Sequence, residues 1–124
     1  MLSFTATNDK GLLDRLSEEI FLKKFPAEVG FVLCEDDEPI GVARINILPT
    51  VSVIELVGVI GAFRKKGYGD FFTRSLMNAL SNVSEVIEIG YESDYYLKFG
   101  FERGGKGMKI DSRNLVFPSK CGKR

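Results

Sequence analysis

The pattern of hydrophobic and polar positions changes its period several times along the chain, and each change marks a predicted element. Leu2 to Thr7 alternates apolar and polar side chains, which predicts a short first strand. Apolar residues then recur at intervals of three and four, which predicts an amphipathic helix from about 10 to 24. Asn8 and Asp9 suit the position before this helix, because their side chains accept hydrogen bonds from its first amides. We expect Pro26 to end the helix.

A series of apolar, β-prone segments follows and predicts three consecutive antiparallel strands. The strands cover Val29 to Cys34, Ile40 to Ile47 and Ser52 to Ile60. Glu35 to Pro39 is predicted to be a polar, solvated turn between the first two, and Pro49 marks the second turn. Because these connections are short, neighbouring strands have to run in opposite directions.

The pattern becomes helical again after Gly61. An apolar stripe predicts a helix from about 67 to 81, and Val86 to Tyr91 predicts a strand after it. A strand, a helix and a returning strand form a right-handed βαβ crossover, in which the two strands are parallel. Ser93 to Phe99 is predicted to form a short helix.

The C-terminal part is predicted to add two further strands. Phe101 to Ile110 forms one strand that glycines loosen, and Leu115 to Phe117 forms a final edge strand. For the glycine-rich stretch Gly104 to Gly107, a hairpin or bulge is favoured over a phosphate-binding loop. The predicted fold class is therefore α+β, with a mixed, mostly antiparallel sheet flanked by helices, in a single domain over residues 1–124.

Composition and charge remove several classes of function. Lys plus Arg and Asp plus Glu both total 17, and this balance argues against a nucleic-acid partner. No apolar run approaches the ~20 residues of a membrane span, so we expect a cytoplasmic protein without membrane association. Cys34 and Cys121 are too few for a disulfide framework. The absence of histidine excludes His-dependent triads and most zinc sites.

A candidate binding segment joins the predicted strand Ser52 to Ile60 to the helix that follows it. It contains Arg64, Lys65, Lys66, Gly67, Tyr68, Gly69 and Asp70. The first amides of a helix have no partner within it, and the peptide dipoles add partial positive charge there. Glycines let a phosphate approach the backbone, and the cations complete an anion site. A P-loop would need Ser or Thr after Gly-Lys, and a dinucleotide-binding loop would need a third glycine where Phe72 stands.

The pattern Arg-x-x-Gly-x-Gly resembles the pyrophosphate loop of the GNAT superfamily of N-acetyltransferases. A second segment, Tyr95 to Glu102, is similar to the later motif of that family, in which a short helix ends in Tyr-x-x-x-Gly-Phe before a strand. Gly100 suits the left-handed residue after a helix, and Phe101 then returns to the core. The two motifs stand on the elements that the family uses for them. The chain is therefore identified as a short member of the superfamily.

The resemblance implies transfer of an acetyl group from acetyl-CoA to a primary amine of a small molecule or peptide, by direct attack on the thioester. It implies no metal. It places Tyr96 where the family has a tyrosine that protonates or hydrogen-bonds the CoA sulfur, and a phenol with a pKa near 10 is protonated at neutral pH. Glu55 interrupts an apolar strand and is the candidate general base, acting directly or through water.

The resemblance also implies two groups of cofactor-binding residues. The first group is a segment of the third strand of the series and consists of Val57, Gly58 and Val59. Its backbone, splayed by a bulge at Gly58, would pair with the pantetheine arm. The pyrophosphate would be bound by Arg64, Lys65, Lys66, Gly67, Tyr68, Gly69 and Asp70.

The chain departs from the family pattern in three places. The region around Lys24 to Glu28 leaves little room for a second helix, which commonly helps to wall the acceptor site. We therefore expect an acceptor pocket that is open or completed by a partner chain, for example in a homodimer. An asparagine common near the start of the short fourth helix is not evident, and Gly61 replaces the proline common before the pyrophosphate loop.

These departures leave alternatives open. The whole chain could be a non-catalytic acyl-CoA-binding or regulatory module with the same fold. The segment Arg64 to Gly69 could be an ordinary basic turn, Tyr96 a helix-face aromatic residue, and Glu55 a solvated or salt-bridged strand residue.

Overall fold

The computed structural model describes residues 1–118, so Cys121 and the other residues from 119 onward lie outside it. Within the described part, the chain forms seven strands, two α-helices and three 3₁₀ turns. The strands are β1 (Leu2–Thr7), β2 (Gly30–Glu35), β3 (Glu38–Ile47), β4 (Val51–Val59), β5 (Val86–Ile89), β6 (Glu102–Gly104) and β7 (Gly107–Asp111). The helices are α1 (Lys10–Phe21) and α2 (Tyr68–Ser81), and the 3₁₀ turns are Gly61–Lys66, Asp94–Phe99 and Ser112–Asn114. Neither α-helix is long and apolar enough to cross a membrane.

The strands are hydrogen-bonded in the order β1-β2-β3-β4-β5-β7-β6. β1 pairs with β2, β2 with β3, β5 with β7 and β6 with β7 in antiparallel fashion, whereas β4 and β5 are parallel. The parallel pair follows from the connection through α2, since two strands that run the same way need a crossover between them. The predicted fold class, a mixed and mostly antiparallel α+β sheet with a βαβ crossover, is confirmed.

The chain divides into two compact units. The first consists of Met1–Ile45 and Leu56–Ser75, and the second of Asn46–Glu55 and the residues from Leu76 onward. The single domain over residues 1–124 stays a prediction.

The first unit is built on the apolar face of α1. Leu13 and Leu16 are fully buried, and they form one cluster with Phe25, Val32 and Val42. At about 25 cal/mol per Å² of apolar surface removed from water, the complete burial of each such side chain stabilises the fold by roughly 1.5–3 kcal/mol. The apolar residues at helical spacing in the sequence therefore form the face of α1 that covers the sheet in this unit.

The two ends of α1 have local causes. Asp9 Oδ1 accepts a hydrogen bond from the Leu12 amide at 3.2 Å, which confirms Asp9 as the N-cap. The helix ends at Phe21 and not at about 24, because Leu22 adopts a left-handed conformation with φ 64° and its amide donates to the Glu18 carbonyl. The expectation that Pro26 ends the helix is therefore wrong.

The turn between β2 and β3 is tighter than predicted. Only Asp36 and Asp37 form it, with φ of 49° and 75°. Two consecutive positive φ values are the signature of a type I′ hairpin turn, whose twist matches that of the flanking strands. Glu35 and Glu38 consequently belong to β2 and β3 and face each other in register.

The second unit has an aromatic core. Tyr96, Phe99 and Phe101 are buried. The ring of Tyr96 meets that of Phe101 edge to face at a centroid distance of 5.6 Å, and Tyr95 meets Phe99 in the same way at 5.2 Å. Edge-to-face pairs of this kind contribute about 0.5–1.5 kcal/mol beyond the burial of their surface.

The region after Phe101 corrects two predictions. Phe101 to Ile110 is not one strand but the hairpin of β6 and β7, which confirms the hairpin alternative for Gly104 to Gly107. The edge strand predicted for Leu115 to Phe117 is absent from the described structure. β7 already has β5 on one side and β6 on the other, so these residues find no free edge beside it, and the Val116 amide donates instead to the Phe99 carbonyl at 3.1 Å.

Candidate functional site

The predicted anion-binding loop folds as a 3₁₀ turn that leads directly into α2. The turn covers Gly61–Lys66, and Gly67 follows with φ 80°. A side chain would strain this left-handed conformation, so the glycine is required by the backbone. The first helical hydrogen bond runs from the Phe71 amide to the Gly67 carbonyl at 3.0 Å. The three amides between them precede the hydrogen-bonded ladder of α2.

The start of α2 is open to a ligand. A Cβ built on Gly69 would have Val59 Cγ2, at 3.8 Å, as its nearest neighbour. Arg64, Lys65 and Lys66 are all exposed. Accessible backbone at the positive end of a 14-residue helix, next to three cations, suits a phosphate or pyrophosphate group.

Side-chain contacts restrain the loop. Arg64 Nε donates to the carbonyl of Val59 at 3.2 Å and so ties the turn to the end of β4. Lys66 Nζ lies 5.4 Å from the centroid of the Phe63 ring. That ring stacks on Tyr68, with centroids 6.0 Å apart and planes at 19°. Arg64 is therefore held by the end of β4 and Lys66 by Phe63, in addition to their own backbone.

Two carboxylates beside the loop accept hydrogen bonds from neighbouring side chains. Tyr68 Oη donates to Glu35 Oε2 at 2.5 Å, and this bond, with a smaller contribution from burial, raises the pKa of Tyr68 above its ordinary value. Asp70 accepts a hydrogen bond from Arg74 Nε, one turn later on α2, at 2.8 Å. The predicted site residue Asp70 thus belongs to an ion pair on the helix.

The predicted pantetheine segment lies at the end of β4. A Cβ on Gly58 would lie 2.9 Å from both Ile20 Cγ2 and Phe21 Cζ, so the close approach of α1 explains the glycine. Val59 is buried and Val57 is half-buried. The bulge at Gly58 stays a prediction.

Tyr96 lies in the 3₁₀ turn Asp94–Phe99 of the second unit. Its side chain is 2% exposed, and its hydroxyl lies 2.6 Å from that of Tyr91, with either group able to donate. Burial first, and the neighbouring Tyr91 second, raise the pKa of Tyr96 far above its ordinary value. Gly100 ends the turn with φ 102°, as the sequence motif predicts.

Glu55 is half-buried on β4, in the same unit as Tyr96. Its Cα and Cγ would lie 3.6 and 3.8 Å from a Cβ on Gly90, so the aliphatic part of Glu55 runs along the backbone just after β5. Among residues 1–118, no group of three or more acidic or cysteine side chains is arranged to hold a metal ion.

Comparison with protein families decides the assignment. A family model described as the Acetyltransferase (GNAT) family matches residues 3–101, which include the basic loop and the Tyr-x-x-x-Gly-Phe motif. The chain belongs to the GNAT family. No curated protein sequence matches it significantly.

Solved GNAT structures are similar to this chain in fold. The ribosomal-protein-S18-alanine N-acetyltransferase of Escherichia coli aligns with a TM-score of 0.73 and 13% identity, over 94% of this chain and 100% of its own. A Brucella melitensis GNAT acetyltransferase in complex with acetyl-CoA gives 0.69 and 14%, over 90% and 88%. Arabidopsis thaliana Naa50 in complex with the bisubstrate analogue CoA-Ac-MVNAL gives 0.68 and 18%, over 84% and 85%.

Two residues of this GNAT protein emerge only from the structure. Tyr91 shares a hydroxyl hydrogen bond with Tyr96, and Glu35 accepts one from Tyr68. The sequence offered a weak signal for Tyr91, which lies five positions before Tyr96. It offered none for Glu35, because the approach of the β2–β3 hairpin to the loop depends on tertiary folding.

Proposed function

We propose that this protein transfers the acetyl group of acetyl-CoA to a primary amine of a small molecule or a peptide. Membership in an acetyltransferase family supports the reaction class. The observation that carries the proposal is the loop itself, in which three exposed cations lead into the open start of α2.

The loop would bind the pyrophosphate of acetyl-CoA through several weak contacts at once. Each favourable contact of an anion with a helix N-terminus contributes about 0.3–1 kcal/mol. The amides at the start of α2 would donate to phosphate oxygens, and Lys65 and Lys66 would balance their charge. Val57 to Val59 would offer backbone groups to the pantetheine arm. No single contact would supply the affinity, so the arrangement has to act as a whole.

The chemistry needs an acid and a base. An acceptor amine with a pKa of about 10.4 is protonated at neutral pH and has to lose its proton before it attacks, which is the part proposed for Glu55. Tyr96 is proposed to return a proton to the departing thiolate. A phenol is protonated at neutral pH, and the bond to Tyr91 would hold the hydroxyl of Tyr96 in one orientation.

A peptide amine is the first acceptor to test. Two proteins similar in fold are a ribosomal-protein-S18-alanine N-acetyltransferase and Naa50 in complex with the bisubstrate analogue CoA-Ac-MVNAL. Short peptides with free N-termini, followed by a panel of polyamines and amino sugars, would separate the peptide acceptors from the small-molecule acceptors.

Calorimetric titration with acetyl-CoA tests the binding site. We expect saturable binding that Lys65→Ala/Lys66→Ala weakens at least tenfold. Lys23→Ala/Lys24→Ala is the matched control, because it removes the same charge from exposed residues of the same unit that lie outside the loop. Arg64 stays in place, because it also holds the Val59 carbonyl. Equal weakening by both double variants would contradict a specific loop site.

Turnover tests the part given to Tyr96. Tyr96→Phe should lower kcat by about 10²-fold, within the range for positioned acid–base groups, and leave the KM for acetyl-CoA nearly unchanged. An unaltered kcat would remove Tyr96 from the mechanism.

The second candidate function is a non-catalytic acyl-CoA-binding module. Two observations favour it: Tyr96 is 2% exposed and already bonded to Tyr91, and no helix forms between α1 and β2 in the described structure. Binding of acetyl-CoA without thiol release across the amine panel would support this function. Amine-dependent thiol release would exclude it.

A further inference from the structure

The β2–β3 hairpin reaches the basic loop through one hydrogen bond. Glu35, the last residue of β2, accepts from the hydroxyl of Tyr68, the first residue of α2, with an oxygen–oxygen distance of 2.5 Å. Both residues belong to the first unit and are half-buried. Hydrogen bonds to an ionised acceptor are stronger than those between neutral groups, so this one can fix the position of the phenol ring.

The fixed phenol restrains other loop residues. Phe63 stacks on the Tyr68 ring, and Lys66 Nζ lies over the ring of Phe63. A continuous set of contacts thus runs from Glu35 through Tyr68 and Phe63 to Lys66. It spans the turn on both sides of Gly67, the residue whose left-handed conformation starts α2.

The charge of Glu35 makes its location informative. A carboxylate beside a loop of three cations opposes the binding of an anion, and Asp36, Asp37 and Glu38 add further negative charge to the same hairpin. Charge alone would thus predict that removing Glu35 improves anion binding. The bond to Tyr68 predicts the opposite. Without this bond the loop would be mobile in the free protein, and ordering it on ligand binding would reduce the affinity.

We propose that Glu35 is a positioning residue of the acetyl-CoA loop, which holds Tyr68 and, through Phe63, the ammonium group of Lys66 in their binding arrangement. This inference rests on the proposed function, because it assigns a part to Glu35 in the same site. It gives the acidic hairpin a structural role in cofactor affinity that a solvated turn would not have.

Four variants separate the hydrogen bond from the charge. Glu35→Ala removes both, Glu35→Gln removes the charge but keeps an oxygen that accepts from Tyr68, and Tyr68→Phe removes the donor. Glu38→Ala is the matched control, because it deletes an exposed carboxylate of the same hairpin that faces Glu35 across the strands. Acetyl-CoA affinity, together with kcat and KM for thiol release, is measured for each.

Glu35→Ala and Tyr68→Phe should each raise the Kd and KM for acetyl-CoA about tenfold, the effect of one lost hydrogen bond to a charged group, with kcat unchanged. Their double variant should be no weaker than either single variant, because both remove the same bond. Glu35→Gln keeps a weaker, neutral hydrogen bond and also removes an opposing charge, so its affinity should lie between those of the wild type and Glu35→Ala. Glu38→Ala should bind equally well or more tightly. Equal loss of affinity in Glu35→Gln and Glu35→Ala, or an unchanged Glu35→Ala, would overturn the proposal.

An observation without ligand keeps this inference distinguishable from the proposed function. Backbone amide NMR of the ligand-free protein should show that Glu35→Ala shifts or broadens the Gly67 and Gly69 signals, whereas Glu38→Ala leaves them in place. If the wild type fails to bind acetyl-CoA, the proposed function and the cofactor part of the inference are refuted. The NMR result would still show whether Glu35 orders the loop. Unperturbed glycine signals in Glu35→Ala would refute that ordering.

Discussion

Two glycines of one hairpin should respond to alanine in opposite directions. Gly107 begins β7, and a Cβ built on it would lie 1.9 Å from the Ile89 carbonyl oxygen on β5. Gly104 ends β6, has nothing within 4 Å of the same position, and its backbone lies outside the left-handed region. Gly107→Ala must therefore push β7 away from β5, whereas Gly104→Ala only restricts the unfolded chain.

The geometry sets the size of both effects. Carbon and oxygen in ordinary contact are at least 3.4 Å apart, so Gly107→Ala has to move the backbone by about 1.5 Å. Overpacking of this kind costs about 1–3 kcal/mol, and each backbone hydrogen bond that the displacement breaks adds about 0.5–1.5 kcal/mol. We expect a loss near 3 kcal/mol in the free energy of unfolding, or a fall in Tm of about 10 °C for a chain of this size. Gly104→Ala should raise the free energy of unfolding by about 0.4–1 kcal/mol.

Thermal unfolding followed by circular dichroism measures both effects, and acetyl-CoA titration of Gly104→Ala adds a functional control. Because Gly104 to Gly107 is a hairpin, Gly104→Ala should bind acetyl-CoA as the wild type does. A Tm of Gly107→Ala within about 2 °C of the wild type would refute the packing argument. A large loss of acetyl-CoA affinity in Gly104→Ala would revive the phosphate-loop alternative for this stretch.

The remaining predictions concern polar contacts inside each unit. The Asp14 pKa is lowered, mainly by its hydrogen bond with a lysine one turn earlier, so its stabilising effect is full above the ordinary pKa of 3.8 and is lost as the pH falls through its lowered value. Asp14→Asn should therefore reduce the Tm at pH 7, and the difference from the wild type should vanish in an acid titration of stability; a constant difference would contradict this. The buried hydroxyls of Ser52 and Ser84 lie 2.5 Å apart, so either alanine variant should cost about 1–3 kcal/mol in urea unfolding, and the double variant less than their sum. Tyr91→Phe should lower kcat with no change in the KM for acetyl-CoA, and an unchanged kcat would show that Tyr96 needs no partner.

Local patterns in the sequence carried most of the fold. The helical stripes predicted α1 and α2, and Asp9 was identifiable as a cap because its hydrogen bond to Leu12 spans only three residues. Gly100 was identifiable for a similar reason, since a left-handed residue after a helical turn is a local requirement, whereas the left-handed conformation of Gly67 was not predicted. Features that depend on residues close together in the chain, such as helix caps, can therefore be predicted from the sequence.

The errors arose where distant residues decide the outcome. Leu22 ends α1 in a left-handed conformation, which an apolar side chain does not predict. Leu115 to Phe117 has strand-like composition, but whether it forms a strand depends on which edge of the sheet is free, and β6 already occupies the edge beside β7. The bond between Glu35 and Tyr68 joins residues 33 positions apart and has no local signature.

The glycines of the predicted cofactor segments show why residue type alone does not assign a role. Gly67 is required by its backbone conformation, which starts α2 and exposes the amides ahead of the helical ladder. Gly58 has no such conformation, and the approach of Ile20 and Phe21 to within 2.9 Å of a Cβ is enough to explain it. A glycine that packing already requires adds no support to a cofactor site, whereas one that shapes an open helix start beside three cations does. The assignment of acetyl-CoA binding therefore depends on the loop and not on Gly58.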